Sequence, residues 1–222
     1  KESSFPAIIA GLFLSLSFVA YIVAMSKTTV ANVVFIISTQ TIFLAIFGLL
    51  FLKEKITFKG FASITLAFIG MAVMIGDSIN QGTLFGNIVA FAIPINFTIL
   101  VMIIRKFPDL DMIPAIFYSG IFSGIDGLFL ASNLMFSAND VLMGFLLGVP
   151  QLAFGFICVT IGTRTTKAVT VGLLMLLETI FAPIWVWIFL NEVPPISVFT
   201  GGAIIIFAVI FKSFDKSAEI NN

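Results

Sequence analysis

The sequence predicts an all-α protein, a polytopic transmembrane helix bundle. Three observations carry that prediction: composition, the length of the apolar stretches, and the placement of positive charge between them. Hydrophobic residues make up 60% of the 222 and charged residues 10%, with a mean hydropathy of +1.20. A soluble domain is roughly half apolar and about a quarter charged. A bilayer core of about 30 Å takes ~20 apolar residues per helix. Eight stretches meet that length: 5–25, 29–52, 58–76, 84–104, 112–132, 141–161, 168–190 and 195–211.

Turn and cap residues separate these stretches. Gly76-Asp77-Ser78-Ile79-Asn80 closes the third, and Asn191-Glu192-Val193-Pro194-Pro195 lies between the seventh and the eighth. No join is long enough to hold a soluble domain. Lysine and arginine then fix a topology, because cytoplasmic joins retain them. If successive spans alternate, one side carries Lys1, Lys53, Lys55, Lys59, Arg105, Lys106, Arg164, Lys167, Lys212 and Lys216, and the other only Lys27. Both ends of the chain are therefore expected in the cytoplasm.

Composition also excludes function classes. Net charge is zero, so there is no electrostatic footprint for nucleic acid. The single cysteine, Cys158, forbids an intrachain disulfide, and its expected place is buried among apolar neighbours. There is no histidine, the commonest general base and transition-metal ligand. No metal site, cofactor or catalytic residue is expected. No nucleotide-binding GxxxxGK[ST] motif and no signal peptide is visible. The first residue is Lys1 rather than Met, and the start reads as a truncation.

An internal repeat supports that reading. Residues 41–54 read TIFLAIFGLLFLKE and residues 179–192 read TIFAPIWVWIFLNE. The offset of 138 positions pairs Thr41 with Thr179, Ile42 with Ile180, Phe43 with Phe181 and Glu54 with Glu192. It also pairs Thr28 with Thr166, Val33 with Val171 and Phe61 with Phe199. The first three spans then correspond to the last three, and the fourth and fifth lack counterparts. The expected unit is five helices: residues 1–77 hold the last three of a first repeat, 84–212 hold a complete second repeat, and 213–222 form a cytoplasmic tail. Eight helices of an expected ten are visible. An odd unit inverts the second half in the membrane, as in secondary transporters.

The chain resembles the EamA-like branch of the drug/metabolite transporter superfamily. The segments TTVANVVFIISTQTIFLAIFGLLFLKEKITFKG and TKAVTVGLLMLLETIFAPIWVWIFLNEVPPISVFTGG carry the resemblance. Members show a mid-helix Glu-Pro or Pro and an apolar run that closes on Gly-Glu. Glu178 takes the first glutamate position, with Thr179 in place of proline and Pro183 later. Glu54 and Glu192 take the closing glutamate, with Lys53 and Asn191 in place of glycine. The resemblance implies ten helices in two five-helix repeats, cytoplasmic termini, and export or exchange of small metabolites. A bacterial inner membrane is the location it implies, and a eukaryotic endomembrane is the alternative.

Polar groups at membrane depth are costly, so each is a functional candidate. Glu178 is central in 168–190, and Gln40, flanked by Thr39 and Thr41, is central in the related 29–52. Asn96 follows Pro94 in 84–104, and Gln151 follows Pro150 in 141–161. Glu178, Gln40, Asn96, Gln151, Thr39 and Thr41 are the expected substrate-binding residues, around a hydrated cavity. Interhelical hydrogen bonding, worth ~0.6–2 kcal/mol each, is the alternative role for the amides. Glu178 and Asp126 are the candidates for proton coupling, and a structural contact is the alternative for Asp126. Glu54 and Glu192 are expected as solvated helix ends or caps, with gating as the alternative. Gly120/Gly124 and Gly144/Gly148 have GxxxG spacing, which predicts close helix packing within the chain or in a homodimer. Trp185 and Trp187 are expected as interfacial anchors.

The expected function is secondary transport of a small metabolite or drug-like solute by alternating access about a midplane site, with lipid and solute as partners. A non-transporting membrane scaffold or inactive fragment is the alternative. A membrane-embedded enzyme lacks the nucleophile–base pair it would need.

Overall fold

The computed structural model describes residues 4–75, 84–131, 135, 137–191, 193 and 195–214. The predicted turn at Gly76–Asn80 lies outside them, as do Glu192, Lys1 and Lys216. Among the described residues the chain is helical, with no strand. The helices are α1 (Ser4–Lys27), α2 (Val30–Ser38), α3 (Gln40–Phe51), α4 (Phe58–Ile75), α5 (Leu84–Lys106) and α6 (Pro114–Leu130). Then come α7 (Ala138–Leu146), a π-helical segment (Leu147–Ala153), α8 (Phe154–Thr163), α9 (Ala168–Met175), α10 (Leu177–Leu190) and α11 (Ile196–Ser213). Each predicted span falls on helix, and three are interrupted near the middle. Among the described residues, five stretches are long and apolar enough to cross a membrane: Phe5–Lys27, Asn32–Phe51, Leu84–Lys106, Ala138–Thr163 and Ile196–Ser213. Phe58–Met74, Pro114–Leu130 and Ala168–Phe181 are shorter apolar helices.

Local chemistry sets the boundaries. The Thr29 hydroxyl accepts the Asn32 N–H at 3.3 Å and caps α2. Ser137 and Asp140 form a capping box at the start of α7. α5 runs unbroken through Pro94, whose carbonyl accepts the Thr98 hydroxyl at 2.7 Å. The π-helical segment surrounds Pro150, whose missing N–H a π-helical turn accommodates. Lys53 and Asn191, which follow α3 and α10, have φ of 54° and 56°.

α1 packs on α5 and α6, and α4 packs on α11; α2, α3 and α9 join the two groups. Leu14, Leu44, Leu100 and Met112 are fully buried in one core, and Met71, Leu173 and Ile205 in the other. Small residues bring the backbones together. A Cβ on Gly11 would lie 2.6 Å from the Ala115 carbonyl. A Cβ on Gly86 would lie 2.8 Å from Thr28 Cβ, and one on Gly201 would collide with the Gly70 carbonyl. Helices associate this way where lipid leaves little hydrophobic drive between them.

The predicted GxxxG packing is not where the structure makes its close contacts. A Cβ on Gly120, Gly124, Gly144 or Gly148 would meet nothing within 4 Å. α7 and the π-helical segment bury no described residue, and α8 buries Thr160 and Thr163. That leaves the homodimer half of the GxxxG expectation untouched and removes the half within the chain. The same lack of a neighbour exposes Cys158, against the expectation that it is buried.

The two ends of the bundle differ in charge. Contacts place Glu54, Lys55, Lys59, Arg105, Arg164, Lys167 and Lys212 at one end. Lys27 lies at the other, against Gly86. The expected alternation of spans is therefore present in the structure.

This packing sets the expected effect of substitutions at four positions. Gly201→Val should lower unfolding stability in detergent by about 1–3 kcal/mol, through overpacking, and Gly124→Val should leave it within about 0.5 kcal/mol. Lys53→Gly should raise stability by about 1 kcal/mol, because a left-handed residue other than glycine costs roughly 1–2 kcal/mol. Asn191→Gly should raise it less, since asparagine tolerates that region. Denaturant unfolding of each variant checks both pairs.

Candidate functional site

The site is built on two interrupted helices whose features recur at the offset of the repeat. α2 starts at Val30 and α9 at Ala168, 138 positions apart. Each follows a residue in extended backbone, Thr29 and Lys167. The left-handed residues Lys53 and Asn191 are also 138 apart. The interruptions fall at Thr39 and Leu176, within one residue of the same offset.

Hydroxyls hold the breaks in place. Thr39 Oγ1 donates to the Ile36 carbonyl at 2.6 Å, and Ser38 Oγ to the Phe35 carbonyl at 2.6 Å. Thr179, the counterpart of Thr41, donates to the Leu176 carbonyl at 2.7 Å. Such back-bonding competes with the helix ladder and bends it. The Thr39 hydroxyl thereby donates within its own helix, at the break.

Gln40 and Thr41 open α3 directly after the break, and both are buried. No hydrogen bond to the Gln40 amide is found among the described residues, and Thr41 Oγ1 is buried without a partner. Gly172 of α9 sits on Thr41: a Cβ there would lie 2.9 Å from Thr41 Cα. The first interrupted helix therefore crosses the second beside two polar groups with unused capacity. A buried polar group left without a partner costs about 1–3 kcal/mol.

Glu178 lies in the first turn of α10, where a helix N-terminus favours negative charge. Its side chain is exposed, on the side of α10 away from the buried Leu176 and Ile180. Asn96 is half-buried on α5, which packs against α2 and α3. Gln151 is exposed in the π-helical segment. Among the described residues no hydrogen bond links Gln40, Asn96, Gln151 and Glu178. The structure thus joins Gln40 and Thr41 at the crossing and leaves Gln151 at the surface.

Asp126 makes a contact between helices. Ser15, fully buried on α1, donates to its carboxylate at 3.1 Å, and Ser123 donates to Ser15 at 3.2 Å. That polar knot ties α1 to α6. Trp185 stacks on Phe189 and Trp187 meets Phe199 edge-on, both near the end opposite the lysines.

Glu54 is a cap, as one of its expected roles had it, and not a solvated helix end. Its side chain is 9% exposed and pairs with Arg105 of α5. Its other oxygen accepts the Ala168 N–H at 3.0 Å, the first N–H of α9. Arg105 also donates to the Arg164 carbonyl at 3.3 Å, and Arg164 to Asp111 at 3.2 Å. The sequence signal for this cluster was the set of opposite charges in joins that alternation places on one side. At the far end, Thr28, Asn32 and Asn87 form an uncharged cluster: Thr28 donates to Asn87 at 2.7 Å, and the Asn32 amide donates to both.

Comparison with known proteins bears on what such crossed, broken helices belong to. Residues 2–76 match the EamA-like transporter family. The EamA-like match spans α1 to α4. An uncharacterized transporter of Methanothermobacter thermautotrophicus (strain Delta H) is 28% identical over 197 residues, covering 82% of this chain and 55% of that protein. The chain spans about half the length of that relative. A protein of known crystal structure, 14% identical, superposes on 95% of this chain and 76% of its own with a TM-score of 0.81, a likeness of fold alone. With its apolar helices, the chain is an integral membrane protein whose first third is similar to a transporter family.

One substitution separates a structural from a solute-binding role for Thr41. Thr41→Val removes the unpartnered hydroxyl and should raise stability by about 1 kcal/mol. Denaturant unfolding and solute-induced thermal stabilisation, measured on the same variant, check it. A stability loss would show that the hydroxyl has a structural partner.

Proposed function

We propose that the protein is a secondary transporter that moves a small metabolite or drug-like solute by alternating access. The observation that carries this reading is the pair of interrupted helices crossing at Thr41 and Gly172. Transporters place solutes at such midplane breaks, where freed backbone and side-chain groups face a cavity. The reading has two inverted five-helix repeats, with residues 1–77 in the first and 84–212 in the second. They would rock about the crossing.

In this reading Gln40 and Thr41 supply neutral hydrogen-bonding groups, and Asn96 adds an amide from α5. Glu178 supplies charge at the start of α10, for a cationic group of the solute or for a coupling proton. Energy comes from a solute or proton gradient. The lysine-rich end faces the cytoplasm, by the positive-inside bias, and a bacterial inner membrane is the proposed location.

Proteoliposome uptake of a metabolite panel by the full-length protein tests the proposal. At least one solute should accumulate, and Gln40→Ala and Glu178→Gln should each cut its uptake about tenfold, the first by loss of a neutral hydrogen bond and the second by loss of a charge-assisted contact. Uptake unaffected by both substitutions would remove the site assigned here. No uptake of any solute would favour the scaffold reading.

A further inference from the structure

Three joins meet at the lysine-rich end. Glu54 lies in the join between α3 and α4, Arg105 lies at the end of α5, and Arg164 and Ala168 flank the join between α8 and α9. Glu54 uses one carboxylate oxygen for Arg105 and the other for the Ala168 N–H. Lys167, the residue before α9, provides no side-chain cap. The N-terminus of α9 is therefore capped from the other half of the chain. Gly48 keeps the approach open, since a Cβ there would sit 3.2 Å from both Ala168 Cβ and Glu54 Oε2.

From this geometry we infer that Glu54 and Arg105 form a latch that holds the lysine-rich end shut, with the start of α9 as the part released. The inference rests on the alternating-access reading and adds a gate to it. Opening this end separates the α8–α9 join from the α3–α4 join. That motion breaks two contacts together: Glu54 with Ala168, and Arg105 with the Arg164 carbonyl. α9 runs from the latch to the break at Leu176, so release of its N-terminus moves Gly172 against Thr41. The latch and the midplane crossing thus share one short rigid element of eight residues.

The energetics suit a latch rather than a strut. The ion pair is mostly shielded, at 18% and 9% side-chain exposure, so salt screens it little. Removing charges from water offsets much of the attraction between them. The Nε atoms of Arg105 and Arg164 are also buried without partners. Hydration in an open state would satisfy those groups, which keeps the two states close in free energy. Arg164–Asp111 is more exposed, with Asp111 at 58%, and adds little.

The test reads conformation rather than transport. Spin labels at Phe58 and Thr165, both exposed and on opposite sides of the closure, are placed in full-length Cys158→Ser protein in lipid nanodiscs. Pulsed electron resonance gives the distance distribution between them. The parent should show one dominant short distance. Glu54→Gln and Arg105→Gln should each raise the population at longer distance about tenfold, because each leaves a buried charge unpaired. Asp111→Asn should leave the distribution unchanged. If a Gln variant aggregates, Glu54→Asp, which keeps charge and shortens reach, should shift the distribution in the same direction. Unchanged distributions in monodisperse Glu54 and Arg105 variants would overturn the latch. A shifted distribution in protein that moves no solute would keep the latch and sink the transport reading. Normal solute uptake with an unmoved distribution would sink the latch alone.

Discussion

Backbone hydrogen bonding inside hydrocarbon constrains everything else in this chain. A peptide group facing lipid has no water to bond, so spans must be helical and breaks must be refilled from nearby. The interruptions obey that rule. Thr39 and Ser38 return hydroxyls to carbonyls at the first break, and Thr179 does so at the second. Elsewhere α5 passes straight through Pro94. Pro94 therefore leaves α5 unbroken, whereas the third interruption surrounds Pro150, and short polar side chains accompany the breaks at Thr39 and Leu176.

The same economy explains the ends of the repeated helices. Lys53 and Asn191 stand where the sequence resemblance leads one to expect glycine, and both adopt left-handed backbone. Glycine suits that conformation because it has no Cβ to clash. The turn redirects the chain so that Glu54 points across the bundle instead of into water, and its N–H returns to the Gly48 carbonyl at 3.0 Å. A position read from sequence as a missing glycine is thus a conformational requirement met by less suited residues.

Several features are legible in the sequence itself. The apolar stretches carry the helices, because span length is set by bilayer thickness. The 138-residue offset reappears in helix starts and in left-handed turns. Alternation puts Arg105, Arg164 and Lys167 on one side, which the contacts bear out. Other readings fail for a common reason, in that they require knowing which faces meet. Glu54 is mostly shielded and paired, Cys158 is exposed, and the GxxxG glycines touch no neighbouring helix. Spacing along one helix does not say what lies opposite.

The midplane candidates divide along the same line. Residue type alone marked Gln40, Thr41, Asn96, Gln151 and Glu178, because polar groups at that depth are costly wherever they point. Tertiary packing alone decided that Thr41 meets Gly172, that Thr39 serves its own helix, that Asp126 is engaged by Ser15, and that Gln151 stays at the surface. What the sequence determined by itself was the helical bundle and the charge difference between its two ends, both consequences of solvation by the bilayer and of local backbone chemistry. What only the tertiary structure decided was which polar groups find partners, because partners come from helices far away in the chain.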